Sequence, residues 1–143
     1  MKKSKVLFLC TGNSARSQMS EAFLRKYAGD RFEVFSAGLD PKGINPYTYR
    51  VMQEKGLSLD GQWSKSVDEY LGNEFFHYVI TVCANAEENC PTVFLGMGKH
   101  DHWNFEDPAA FSGEDQETLS KFREVRVQIE IKIKSWIDDP DRY

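Results

Sequence analysis

The chain has 143 residues, 41% of them hydrophobic, and a formal net charge of −4. That length suits a single domain, residues 1–143, around one core, and the apolar fraction excludes a disordered chain. The acidic balance argues against a general nucleic-acid or acidic-membrane binder, but not against an anionic substrate held by a local field.

Met1-Lys2-Lys3-Ser4-Lys5 has the basic character of a signal-peptide start. Only Val6 to Leu9 follow as an apolar stretch, too short for export. No later run is long enough to span a bilayer, so a cytoplasmic protein without membrane partners is expected. Val6–Leu9 reads as a strand covered on both faces. Met19, Ala22, Phe23 and Tyr27 share one face of the next helix, which Gly29 closes. Phe32–Ala37 reads as a second strand, with Gly38 after it. Asn45-Pro46 is a cap plus a first-turn proline, opening a helix that stops near Gly56. Trp63–Ser66 reads as a short third strand and Val67–Leu71 as a short helix. Tyr78–Val82, rich in β-branched residues, is the next strand, and His100–Trp103 a last, weaker one. Thr118–Ile137 predicts the longest helix, with Leu119, Phe122, Val125, Ile129, Ile133 and Trp136 on one stripe.

Strands alternating with helices predict an α/β fold: a three-layer sandwich with a small, mostly parallel twisted sheet of about four strands, flanked by helices on both faces. Ligands of such sheets lie beyond the carboxyl ends of the strands. Cys10 follows the first strand, Cys83 follows Tyr78–Val82, and Asp107 comes shortly after the last strand. The fold therefore places all three on one rim.

Cys10-Thr11-Gly12-Asn13-Ser14-Ala15-Arg16-Ser17 packs a thiol, a glycine turn and an arginine between a strand and a helix. Such a turn aims backbone N–H groups inward, the helix start adds positive potential, and Arg16 forks two oxygens. The loop from Thr11 to Ser17 is thus a candidate cradle for a tetrahedral oxyanion, with Cys10 as the nucleophile against it. Ser17 can donate a hydrogen bond to the thiolate, and Asn13 suits a left-handed conformation that shapes the loop. Asp107-Pro108 often does no more than start a turn. On the same rim as Cys10, Asp107 is a candidate general acid.

Three cysteines in a reducing compartment do not make a disulfide framework. Cys83 and Cys90 enclose six small or polar residues, Ala84 to Asn89. A zinc site normally has closer ligand pairs and a second half, which is missing here. The pair reads either as two buried thiols or as redox-active thiols on an exposed segment that changes shape.

Taken together, these motifs resemble the thioredoxin-coupled arsenate reductases, which share the fold and oxyanion loop of the low-molecular-weight protein tyrosine phosphatases. The resemblance runs through Cys10 to Ser14 with Arg16-Ser17, Ser36-Ala37-Gly38, Gly43 to Pro46, Val79 to Cys83, Asn89-Cys90-Pro91, and His102-Trp103 through Phe105 to Asp107-Pro108. Cys83 and Cys90 at this spacing separate reductase from phosphatase. The phosphatases tend to carry tyrosines after Asp-Pro, where this chain has Ala109-Ala110-Phe111. The resemblance implies a cytoplasmic enzyme of arsenic detoxification that reduces arsenate to arsenite. Cys10 would attack, Cys83 and Cys90 would form the redox disulfide, Arg16 would bind the oxyanion and Asp107 would be the acid. It implies thioredoxin as external reductant, no other cofactor, no catalytic metal and a monomer.

Two positions depart from some relatives. Ala15 stands where some have a further cysteine, so that thiol is not needed for the relay. Some relatives bind potassium behind the loop. Asn13, Glu21 and Ser36 match that site, but Lys65 replaces an acidic residue, and its ammonium is expected to take the ion's place. The alternative reading is a low-molecular-weight phosphatase hydrolysing a Cys10–phosphate. A non-enzymatic alternative is an oxyanion-binding or redox-sensing module, against which Asp107 counts, because sensing needs no general acid.

Overall fold

The computed structural model describes residues 3–70, 74–83 and 98–142. Its elements run β1 (Ser4–Cys10), α1 (Arg16–Ala28), β2 (Phe32–Gly38), α2 (Pro46–Gln53), β3 (Tyr78–Thr81), β4 (Lys99–His102) and α3 (Asp115–Asp138). Short 3-10 turns cover Val67–Glu69, Pro108–Ala110 and Pro140–Arg142. The strand order is β2-β1-β3-β4 and every pairing is parallel. The expected α/β sheet is thus borne out.

The pattern of apolar residues explains this order. Val6, Leu7, Phe8 and Leu9 have no solvent exposure, as a central strand requires. On one face Val6, Phe8, Ile80 and Val82 meet Met19 and Phe23 of α1, Val51 and Met52 of α2, and the α3 stripe. All six stripe residues expected on α3 are buried. The other face carries Leu7, Leu9, Ala37 and Val79, covered by Val67 of the first 3-10 turn, by Phe76 and by the partly buried Tyr70. Trp136 closes the α3 end of the core, with ring centroids 5.2 Å from both Phe32 and Tyr78.

Element ends differ from the expectation for local reasons. α3 starts three residues before Thr118, because the Glu117 carboxylate accepts the Glu114 N–H and caps the end. Asn45 caps α2 as expected, its Oδ1 accepting the Tyr47 N–H at 2.9 Å. Gly29 does follow α1, but in the right-handed region, φ −63°. Trp63–Ser66 is not a strand: it makes one isolated bridge, Gly38 to Ser66. Its polar groups are engaged elsewhere. Lys65 O accepts the Gly38 N–H, Lys65 N–H donates to Asn13 Oδ1, and Ser64 Oγ donates to Gly12 O. Of the short helix expected at Val67–Leu71, the first three residues form a 3-10 turn and Leu71 lies outside the described residues. Among the described residues, no helix is long and apolar enough to cross a membrane.

Glu54, just past α2, holds α3 through Arg123 and Arg126, with its oxygens 2.7 Å from Arg123 Nη2 and from Arg126 Nη1. The hydrogen bonds from Arg123, then Arg126, pull its carboxyl down to about 2. A carboxyl depressed on folding contributes stability that is whole above its unfolded value near 4.5 and is lost as pH falls through about 2. Solvent screening keeps that contribution modest, because the side chain is 37% exposed. Glu54→Gln is expected to be less stable than the parent at neutral pH, the gap closing as pH falls toward 2. Urea unfolding across that range measures it, and a constant gap would remove Glu54 as the titrating group.

Candidate active site

β1 ends at Cys10, and α1 begins at Arg16. The five residues between them must turn the chain without regular pairing. The segment after β2 shapes that turn. Leu39 N–H donates to Cys10 O, Asp40 N–H to Thr11 O, Lys42 N–H to Gly12 O and Asn45 N–H to Ser14 O, at 2.9–3.2 Å. With those carbonyls drawn outward, the same peptide planes turn their N–H groups the other way, toward the cavity. Asn13 takes φ 48°, the left-handed conformation expected of it. Its N–H lies 3.2 Å from Cys10 Sγ.

Gly38 is required by the closeness of this packing. A Cβ there would stand 2.7 Å from Thr11 O and 2.9 Å from Asn13 N. Any side chain would push the loop off β2.

Cys10 is a free, buried thiol with Ser17 Oγ 2.9 Å from its sulfur. Above it opens a cavity of about 440 Å³, lined by Cys10, Thr11, Gly12, Ser14, Ala15 and Arg16 of the loop, and by Lys42, Asp107, Ala109 and Ala110. Arg16 is buried to 3% exposure and is held from the far wall. Its Nη1 donates to Phe105 O at 3.2 Å, and its Nη2 lies 3.6 Å from Asp107 Oδ2. Asp107 Oδ1 accepts the Ala109 N–H and so caps the 3-10 turn at Pro108–Ala110. Cys10, Arg16 and Asp107, 97 residues apart in sequence at the extremes, therefore share one cavity.

Cys83 follows β3 as expected and is fully buried. Val82 N–H donates to Leu9 O at 3.0 Å, so the chain leaves β3 beside the point where β1 delivers Cys10. Both cysteines belong to one core cluster. Cys83 is disulfide-bonded in this structure and Cys10 is not. Cys90, and the segment of small and polar residues before it, lie outside the described residues. Among the described residues, no group of three or more His, Cys, Asp or Glu is placed to hold a metal ion.

Behind the loop sits a buried polar group. Asn13 Nδ2 donates to Ser17 Oγ at 2.8 Å and to Ser36 Oγ at 3.0 Å. Ser36 donates to Glu21 Oε1 at 2.5 Å. Lys65 Nζ enters this group at 3.3 Å from Ser36 Oγ, 2.8 Å from Trp63 O and 3.6 Å from Glu21 Oε1. Burial pushes the Lys65 ammonium below its ordinary value, while Glu21 opposes that shift. The ammonium fills the position between these oxygens. Exchanging sodium for potassium at constant ionic strength is therefore expected to leave the melting temperature unchanged. A shift specific to potassium would show that a cation still finds room there.

Sequence reasoning did not find Lys42 or the Phe105 carbonyl. Lys42 sits in a turn-rich stretch, Asp40-Pro41-Lys42-Gly43, that carries no chemical motif. The available signal was its position just past a strand that ends on the rim. A backbone carbonyl such as that of Phe105 leaves no mark in a sequence.

Known proteins share this fold and much of this sequence. The chain is 39% identical over 138 residues to the arsenate reductase of Halalkalibacterium halodurans, spanning 96% of this chain and 98% of that one. A solved arsenate reductase in its phosphate-binding state superposes with a TM-score of 0.78 at 29% identity, covering 94% of this chain and 97% of that one. The thioredoxin-dependent arsenate reductase of Corynebacterium glutamicum gives a TM-score of 0.60 at 28% identity, over 92% of this chain and 62% of the other. The resemblance carried by the motifs is borne out. Residues 5–142 match the low molecular weight phosphotyrosine protein phosphatase family, and the chain belongs to it.

Proposed function

We propose that this chain reduces arsenate to arsenite through a three-cysteine relay, with thioredoxin as the electron donor. The observation that carries the reading is that neighbouring parallel strands lead to Cys10 and to Cys83 at the same end of the sheet, with an oxyanion cradle over the first. Val82 N–H donates to Leu9 O, so the strand leading to Cys83 ends next to the one leading to Cys10, and Arg16 and Asp107 line the same cavity as Cys10. A phosphatase needs the cradle, the arginine and the acid, but has no use for Cys83. The arsenate reductases similar to this chain, one of them thioredoxin-dependent, support the assignment.

Arsenate enters the cavity and takes hydrogen bonds from the loop N–H groups and the Arg16 fork. The Cys10 thiolate attacks arsenic, and one arsenate oxygen leaves as water with a proton from Asp107. Cys83 thiolate then attacks Cys10 Sγ. The S–S bond forms as the S–As bond breaks, and the electron pair stays on arsenic. As(V) becomes As(III), and arsenite leaves. Two thiols have supplied the two electrons. Cys90 next attacks Cys83, releasing Cys10 as thiolate and leaving a Cys83–Cys90 disulfide. The dithiol of thioredoxin reduces that disulfide and becomes a disulfide itself. In this reading the chain works as a cytoplasmic monomer and needs no metal or organic cofactor, because the thiols carry both electrons.

Turnover of arsenate with thioredoxin and its reductase tests the whole reading. Steady arsenite production supports it. Hydrolysis of aryl phosphates without arsenite production would make the chain a phosphatase. Binding of oxyanions with neither turnover would make it a sensor or binding module. Arg16→Lys is expected to lower turnover by about 10²–10³-fold, the usual effect of losing a key donor to a developing oxyanion. An ammonium is a point charge and cannot fork two oxygens. Steady-state kinetics checks this, and parent-like rates would exclude a bidentate clamp.

A further inference from the structure

Gln18 lies one step past the loop motif, in the first turn of α1, and has no solvent exposure. An uncharged amide that is wholly buried needs its polar atoms satisfied. Gln18 Nε2 donates to Asn13 O at 3.2 Å, to Asn13 Oδ1 at 2.9 Å and to Trp63 O at 3.0 Å. Gln18 Oε1 accepts from Gln62 Nε2 at 2.8 Å, and Gln62 Nε2 also reaches Gln18 O.

The direction of each amide follows from its neighbours. Turning the Gln18 amide over would set Oε1 against three carbonyl oxygens. Turning the Asn13 amide over would set its NH₂ against the Lys65 N–H at 2.9 Å and against Gln18 Nε2. Both turns oppose like to like in a buried site, where an unmade hydrogen bond is costly. Asn13 Nδ2 therefore faces Ser17 Oγ and Ser36 Oγ. Ser17 Oγ accepts from Asn13, and with Cys10 as the thiolate of the proposed reaction, which can only accept, Ser17 turns its own hydrogen to Cys10 Sγ, 2.9 Å away.

We propose that Gln18, aimed by Gln62, is a positioning residue for the Cys10 thiolate. It grips both oxygens of Asn13, holds that residue in its left-handed conformation, and so fixes the Ser17 hydroxyl on the sulfur. Gln18 touches neither the sulfur nor the cavity. It acts through Asn13 and Ser17, and the inference rests on Cys10 being the nucleophile of the proposed reaction.

The test reads the thiol itself. Alkylation of Cys10 by iodoacetamide is followed on its own peptide by mass spectrometry, in the full chain at neutral pH. The ultraviolet thiolate absorbance is recorded beside it. Gln18→Ala is expected to slow alkylation by about tenfold, the scale of one hydrogen bond to a charged group, and to reduce the absorbance. Gln18→Met keeps the volume and loses the amide, so it should be as slow as Gln18→Ala. Gln62→Ala, at the outer end of the chain, should be slowed less, in the same direction. In a Ser17→Ala background both the Gln18 and the Gln62 replacements should have a much smaller further effect, because only the direct contact of Asn13 N–H with the sulfur is left to carry it.

Parent-like alkylation in Gln18→Met would overturn the proposal, since packing would then suffice. An undiminished effect of Gln18→Ala without Ser17 would overturn it as well. If the Gln18 variants do not fold, Gln62→Ala decides the matter. Slowing that depends on Ser17 upholds the proposal, and no slowing overturns it. None of these measurements uses arsenate, so a parent that makes no arsenite fails the reductase reading separately.

Discussion

Cys10→Ser is expected to abolish arsenate reduction and any hydrolysis of phosphate esters together. Both reactions begin with attack by one sulfur, and among the described residues that line the cavity nothing else can replace it. Its lining offers the hydroxyls of Thr11 and Ser14, the Lys42 ammonium and the Asp107 carboxylate. None of these is a thiolate, and a hydroxyl at position 10 remains protonated at neutral pH. Loss of a nucleophile from a working constellation costs on the order of 10⁴–10⁶-fold in rate. The shape of the cradle should survive. Its carbonyls are held by Leu39, Asp40, Lys42 and Asn45, and none of those bonds involves the sulfur. Cys10→Ser should therefore still bind arsenate or phosphate, which calorimetry can measure, while arsenite production falls to background. Arsenite made at more than about a hundredth of the parent rate would move the chemistry away from Cys10.

The contrast between what the sequence reveals about this site and what it hides has a physical cause. The oxyanion loop is legible because its chemistry is local: thiol, glycine, arginine and the strand-to-helix change fall within eight residues. The α3 stripe is legible for a similar reason, since helix periodicity alone sets Leu119, Phe122, Val125, Ile129, Ile133 and Trp136 on one face. Asp107 becomes legible once parallel strands are read, because their carboxyl ends must share a rim.

The supports of the loop are written in long-range hydrogen bonds and are not legible. Trp63–Ser66 has the apolar-polar character of a strand, yet its Lys65 N–H goes to a side chain 52 residues away. Gln18 looks like an ordinary helix-surface amide, and only the fold reveals that it is enclosed by Asn13, Trp63 and Gln62. Propensity and periodicity describe neighbours along the chain. They carry no information about which carbonyl a buried amide will meet.

Cys83→Ser and Cys90→Ser are expected to stop the reaction at different points, and by different amounts. Cys83 supplies the second thiol: its sulfur must bond to Cys10 for arsenic to keep the As–S electron pair. Without it, arsenate can be bound and attacked, but arsenite cannot leave by this route. Arsenite production by Cys83→Ser should fall to background even in the first turnover. Hydrolysis of an aryl phosphate needs only water at the Cys10 adduct, so any such activity should persist. Cys90 acts one step later. In Cys90→Ser the Cys83 attack still occurs, so each enzyme should release about one arsenite and then halt as a Cys10–Cys83 disulfide. The fold makes that intermediate attainable at its first step, because β1 and β3 are paired in parallel through Leu9 and Thr81 and deliver their cysteines to the same end of the sheet. Rapid quench with arsenic speciation counts the arsenite per enzyme, and intact-mass analysis after alkylation identifies the trapped disulfide. Multiple turnovers by Cys83→Ser, or a first turnover missing from Cys90→Ser, would break the order in which the three thiols are proposed to act.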